Sequence, residues 1–147
     1  MSKADLFFFN KFACELYESK NPGSMPQYHY HDAYEIFFLV DGMRDISFNG
    51  VLQPLQRGDI FIAQPFVPHR TSRHDPGTYK RYTLNFSQRD MQDFFTDAEI
   101  SEVTKHLTTG VYHLTPEQTD TVQGYLERIS SYHNRLSDLG RKMTVME

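Results

Sequence analysis

The stretch from Gly23 to Gly42, GSMPQYHYHDAYEIFFLVDG, places two histidines and a glutamate directly ahead of an apolar run. Side chains of an extended strand alternate between its faces, so His29 and His31 point the same way and can meet one ligand or metal. Glu35 has the same parity and can join them even where the chain bends at Asp32-Ala33. Ile36 to Val40 is apolar at both parities, which calls for cover on both faces of a sheet. Asp41-Gly42 then ends the strand with a turn.

On the C-terminal side of this stretch, Arg44 to Phe48 runs into Asn49-Gly50 and on to Val51-Leu52. Asn-Gly between two apolar runs marks a tight hairpin with a primed turn. A turn at Arg57-Gly58-Asp59, a strand from Ile60 to Ala63, breaks at Pro65 and Pro68, a turn at Asp75-Pro76-Gly77 and a strand from Tyr79 to Phe86 follow. On the N-terminal side, LFFFNKFACELYES reads as one or two strands ending at Asn21-Pro22-Gly23, with its opening residues as an arm. Short strands at roughly ten-residue spacing favour an antiparallel sandwich or barrel over an α/β fold.

Past Ser87 the periodicity changes from strand to helix. Ser87 and Asp90 resemble a helix cap, with Met91, Phe94 and Phe95 on one face, and Asp97 to His106 continues at helical spacing until Gly110 stops it. Val111 to Leu114 is the candidate last strand. Thr115-Pro116-Glu117-Gln118 opens a final helix, in which Val122, Tyr125, Leu126, Ile129, Tyr132, Leu136 and Leu139 recur at steps of three and four. About six turns are expected, ending at Gly140, with Met143 to Glu147 as the start of a further helix in a longer chain. Such a helix overhangs a small barrel, and its excess length suits a partner subunit. The division expected is 1–86 for the barrel and 87–147 for a helical, dimerising segment.

The totals exclude several classes. A chain of 147 residues with 39% hydrophobic content supports one globular domain. A net charge of -4 and no dense Lys/Arg cluster argue against this segment binding nucleic acid or an anionic membrane by itself. The longest apolar run is too short to span a bilayer. The single Cys14 has no internal disulfide partner and reads as a small buried hydrophobe, and the N-terminus lacks a signal-peptide layout, so the expected location is cytoplasmic.

His29, His31 and Glu35, with His69 arriving from a later strand, form a candidate ligand set for a divalent metal: Zn, Ni, Mn or Fe(II). The same four residues can instead satisfy one another, water or a ligand in a polar pocket.

The spacing of Gly23, His29, His31, Glu35 and Gly42 resembles the first cupin motif, and Gly58 to Pro65 followed by His69 resembles the second, with His69 one residue early. HYHDAYEIFFLVDG, RGDIFIAQPFVPH and YKRYTLNFS are similar to the N-terminal domain of AraC/XylS-type transcription regulators. That resemblance implies a mainly β fold: a small antiparallel cupin (double-stranded β-helix) barrel followed by C-terminal α-helices. It further implies a non-enzymatic sensor, a homodimer through the C-terminal helix, and DNA contact only through helix-turn-helix motifs beyond Glu147. The barrel pocket would be lined by His29, His31, Glu35, Phe37 and His69, with Arg44, Arg81 or Tyr82, and would take a small polar effector such as a sugar. The competing expectation is a metal-dependent cupin enzyme, an isomerase or dioxygenase, using His29, His31, Glu35 and His69 directly.

Overall fold

Turn chemistry sets the strand boundaries. The computed structural model describes residues 5–7, 12–20, 23–74 and 77–145. Its elements are β1 (Asp5–Phe7), β2 (Ala13–Ser19), β3 (His29–His31), β4 (Tyr34–Asp41), β5 (Arg44–Phe48), β6 (Val51–Leu55), β7 (Asp59–Ala63), β8 (His69–Arg73), β9 (Tyr79–Phe86), α1 (Gln88–Gln92), α2 (Asp97–Thr104), β10 (Gly110–His113) and α3 (Pro116–Val145). Asn49 and Gly50 both take positive φ, 47° and 75°, and close the expected primed hairpin with Phe48 opposite Val51. The expected turns at Asn21-Pro22 and Asp75-Pro76 lie outside the described residues, while Leu6 and Phe7, which open the expected arm, belong to β1 and pair with Tyr30 and His31 of β3.

Two five-stranded sheets result, ordered β1-β3-β8-β5-β6 and β10-β7-β4-β9-β2. All their pairings are antiparallel except β1 with β3. The fold is therefore mainly β, with its long helix at the C-terminal end. The edge strand β10 comes from beyond residue 86 and pairs with β7, so the second sheet uses the later segment too.

The apolar run of β4 is covered on both sides. Phe37 and Leu39 join Ile46, Phe48, Leu55, Phe61, Ala63 and Tyr79 in a core between the sheets. Phe38 and Val40 point the other way and join Cys14, Tyr82 and Leu126, with Val122 and Ile129 of α3 packed alongside. Burial of these side chains is the main stabilising term at about 25 cal/mol per Å² of apolar area. The first turn of α3 is seated on the β6–β7 turn. Gly58 has φ +88°, and a Cβ there would lie 2.7 Å from Thr119 Oγ1, so only glycine allows both the turn and the contact. Arg57 reinforces the seat by donating to the Val40 carbonyl of β4 at 2.7 Å and to Gln123 Oε1 of α3 at 3.5 Å.

The helices depart from expectation in three places. Ser87 does cap α1 in a reciprocal box with Asp90, but α1 ends at Gln92, so Phe94 and Phe95 lie exposed beyond it and do not share a helical face with Met91. The following helix ends at Thr104, and Gly110 begins a strand instead of stopping a helix. Gly140 does not end α3, which continues to Val145 as one 30-residue helix, so Met143 to Val145 belongs to it and starts no new one. A single helical glycine costs only about 1 kcal/mol relative to alanine, too little to break so long a helix. The side chains of Leu136 and Leu139 lie outside the described part. Among the described residues no helix is long and apolar enough to cross a membrane.

Candidate functional site

Strand pairing assembles the histidines and a bend adds the glutamate. His29 lies directly opposite His69 in the β3–β8 pair, and His31 follows two residues on, on the same face. The chain then bends at Asp32-Ala33 into the other sheet, where Glu35 sits inward on β4. Ligand atoms of His29, His31, Glu35 and His69 all lie within 4.8 Å of one another, spanning the space between the sheets. The early position of His69 is accommodated by the loop before β8, in which Phe66 takes φ +66° and its amide donates to the His31 carbonyl at 2.8 Å.

His31, Glu35 and His69 are buried and His29 half-buried, and the tautomers of His31 and His69 follow from their partners. His31 Nδ1–H donates to the Ala33 carbonyl at 2.9 Å, and His69 Nδ1–H donates to the Val67 carbonyl at 2.8 Å. A carbonyl only accepts, so both protons are on Nδ1. Each Nε2 then faces the same Glu35 Oε2, at 2.6 Å from His31 and 3.2 Å from His69. Two imidazole lone pairs aimed at a carboxylate are stable only with protons or a cation among them. Burial pushes Glu35 up, but its hydrogen bonds with His31 and His69 outweigh this and hold the carboxyl far below its usual range. At His69, burial opposes the charge, while the hydrogen bond and charge of Glu35 outweigh it and raise the pKa. Burial, then the neighbouring His69, lowers His29 to about 4. Three imidazoles with Nδ1 already engaged on two of them, plus one carboxylate, form a donor set that fits a divalent Zn, Ni, Mn or Fe(II) ion.

Beside the cluster is a cavity of about 250 Å³. Of the residues expected to line it, His29, His31, Glu35, Phe37 and Arg81 do so. His69 lies deeper, 1% exposed, with its ring 5.6 Å from that of Phe61. Arg44 is not in the lining. It sits behind Thr71, donating to Thr71 Oγ1 at 3.1 Å and to the Gly23 carbonyl at 2.8 Å, with its guanidinium 4.7 Å from the Tyr79 ring centroid. Tyr82 is on the wrong face altogether. It packs with Cys14, Phe38 and Leu126 beneath α3, because residues 81 and 82 of one strand cannot both point inward.

The residues missed by sequence reading are Met25, Thr71, Thr83 and Asn85, with Ala13 and Glu15 of β2 at the rim. Strict alternation from Arg81 would have found Thr83 and Asn85. The contributions of β2 and of Met25 depend on long-range pairing that carries no local signal. Arg81 is held over Tyr17 at 5.0 Å and over Phe37 at 5.6 Å, and donates to Thr83 Oγ1. His74 and His113 pair with Asp45 and Asp59 away from the cavity.

Facing sheets with a His/His/Glu/His cluster between them define the chain as a cupin barrel. Solved structures with the same fold include a Cupin 2 conserved barrel domain protein from Salinispora arenicola, 19% identical, with a TM-score of 0.50 over 65% of this chain and 72% of that one. The plu4264 protein from Photorhabdus luminescens matches at 20% identity and a TM-score of 0.50, over 60% of this chain and 72% of that one. The Cnp3 cupin domain of Schizosaccharomyces pombe matches at 12% identity and a TM-score of 0.50, over 60% and 66%. No curated protein matches the chain. The family model for the AraC-like ligand binding domain matches residues 11–142, and the chain belongs to that family.

Proposed function

We propose that the chain is the ligand-sensing and dimerisation domain of an AraC-type transcription regulator, with a small polar effector bound in the cavity beside Arg81. The observation that carries this reading is the convergence of Arg81, Thr71, Thr83 and Asn85 from both sheets on a 250 Å³ space inside a domain of this family. Bound there, an effector touches β4, β8 and β9 at once and favours one relative placement of the sheets. A change of state requires that it bind one arrangement more tightly than the other. Dimerisation is assigned to α3, whose exposed Tyr125 and Tyr132 repeat at seven residues, each covered by an arginine, Arg128 and Arg135. DNA contact belongs to a further domain of a longer protein, in the cytoplasm. His29, His31, Glu35 and His69 would hold a divalent ion, which supplies positive charge and ligand positions at the cavity edge.

Calorimetric titration with a panel of sugars, polyols and small organic acids tests the reading: at least one is expected to bind, and Asn85→Leu to weaken it. Binding of none by the folded domain overturns it. The four-ligand cluster itself favours a second reading, a metal-dependent cupin enzyme. Zinc or iron retained by the wild type and lost in His31→Ala, together with turnover of a bound compound, would establish that reading instead.

A further inference from the structure

We propose that the effector of this pocket is an organic anion, whose acidic group is received by Arg81 with the charge of Arg44 behind it. The inference rests on the effector-pocket reading above and narrows it from a polar molecule to a charged one. Its basis is a local imbalance of charge. Arg44 is only 3% exposed, and its guanidinium meets a carbonyl, a hydroxyl and a ring face. Its buried Nε has no hydrogen-bond partner among the described residues. Neither Arg44 nor Arg81 has a carboxylate within ion-pair distance among the described residues.

A buried cation is costly unless a counter-charge accompanies it, and a guanidinium cannot shed its proton to escape that cost. The carboxylates nearby do not supply the missing charge. Glu35 is taken up by His31 and His69, Asp45 beside Arg44 is engaged by His74 at 2.7 Å, and Glu15 lies exposed at the rim, where water screens it. Arg81 is also prepared for the task. Clamped over Tyr17 and Phe37, it faces the cavity in a fixed orientation, and a planar fork of donors matches a carboxylate or phosphate. Asn85 Oδ1, buried and without a hydrogen-bond partner among the described residues, adds an acceptor for a hydroxyl or amine on the same molecule. A cavity of about 250 Å³ suits a small acid.

The test is calorimetric titration of the domain at constant ionic strength with malate, succinate and inorganic phosphate, set against malamide, succinamide and glucose. At least one acid is expected to bind, with its neutral counterpart, or glucose in the case of phosphate, more than tenfold weaker. Arg81→Gln is expected to lower the acid's affinity more than tenfold, and the charge-keeping Arg81→Lys less than that, with both variants folded by circular dichroism. Binding by phosphate alone assigns a phosphate group, and binding by malate or succinate alone a carboxylate. Equal binding of an acid and its amide overturns the inference. Binding of glucose alone, unaffected by Arg81→Gln, also overturns it but leaves the effector pocket standing, whereas silence from all six probes removes both.

Discussion

On β4, Glu35 and Phe37 point between the sheets while Phe38 and Val40 point toward α3, and on β9, Arg81, Thr83 and Asn85 divide in the same way from Tyr82 and Leu84. The outward face is apolar at Phe38, Val40, Tyr82 and Leu84, where it carries a helix. The inward face grades from a packed core at Leu39 and Phe61 to a polar end at Glu35 and Asn85. One pair of strands thus serves two tasks with no extra element, since a period of two gives each face its own composition. The two faces also differ energetically. The outward face is stabilised by buried area, while the inward polar end spends stability on desolvated charge.

The largest expected effect tests the outward face. Phe38 is fully buried, so Phe38→Ala should destabilise the fold by about 3–5 kcal/mol in urea unfolding. A loss below about 1 kcal/mol would mean that α3 is not held on this face by packing. On the inward face, Glu35→Ala leaves His31 Nε2 and His69 Nε2 without their buried partner and should cost about 1–3 kcal/mol in the presence of chelator. An unchanged unfolding midpoint would show that the cluster contributes nothing to folding without a cation.

Cys14 compares the faces by pH. Burial first, and then Glu15, push its thiol from an ordinary 9.0 to about 11. A pKa raised on folding means that the contribution to stability is complete below about pH 9 and is lost as pH rises toward 11. The loss should reach about 1 kcal/mol by pH 10 and be absent in Cys14→Ala. At pH 8, disulfide-exchange reagents should label Cys14 only after unfolding. The smallest effect is expected from Tyr82→Phe, which should change stability by less than about 0.5 kcal/mol and leave effector binding untouched. Weakened binding there would break the separation of the faces.

Much of this arrangement could be read from local chemistry. Asn49-Gly50 marks its hairpin because two consecutive positive φ values suit few other residue pairs, and Ile36 to Val40 announces a strand covered twice. The shared parity of His29, His31 and Glu35 brings three ligands near one point, and the pairing of β3 with β8 adds His69. Tyr82 lies outside the pocket because alternation along β9 puts it on the face opposite Arg81. Phe94 and Phe95 show another limit: helical spacing continues past Met91, but the helix itself stops at Gln92 and both rings lie exposed beyond it. Gly140 illustrates the same limit, since propensity at one position yields to the continuity of its helix.

The seat of α3 on the β6–β7 turn has a mechanical meaning. Thr119 against Gly58 and Arg57 on the Val40 carbonyl clamp the root of the helix to the strands that frame the pocket. The helix runs 30 residues, about 45 Å at 1.5 Å per residue, and its first half lies along the barrel through Val122, Leu126, Ile129 and the ring contact of His133 with Phe12. The turns after His133 extend it by about 18 Å, so a turn of about 10° of the packed part moves the far end, relative to His133, by about 3 Å. A small displacement of the sheet beneath the helix becomes, at the tip, a shift of about half a helical turn.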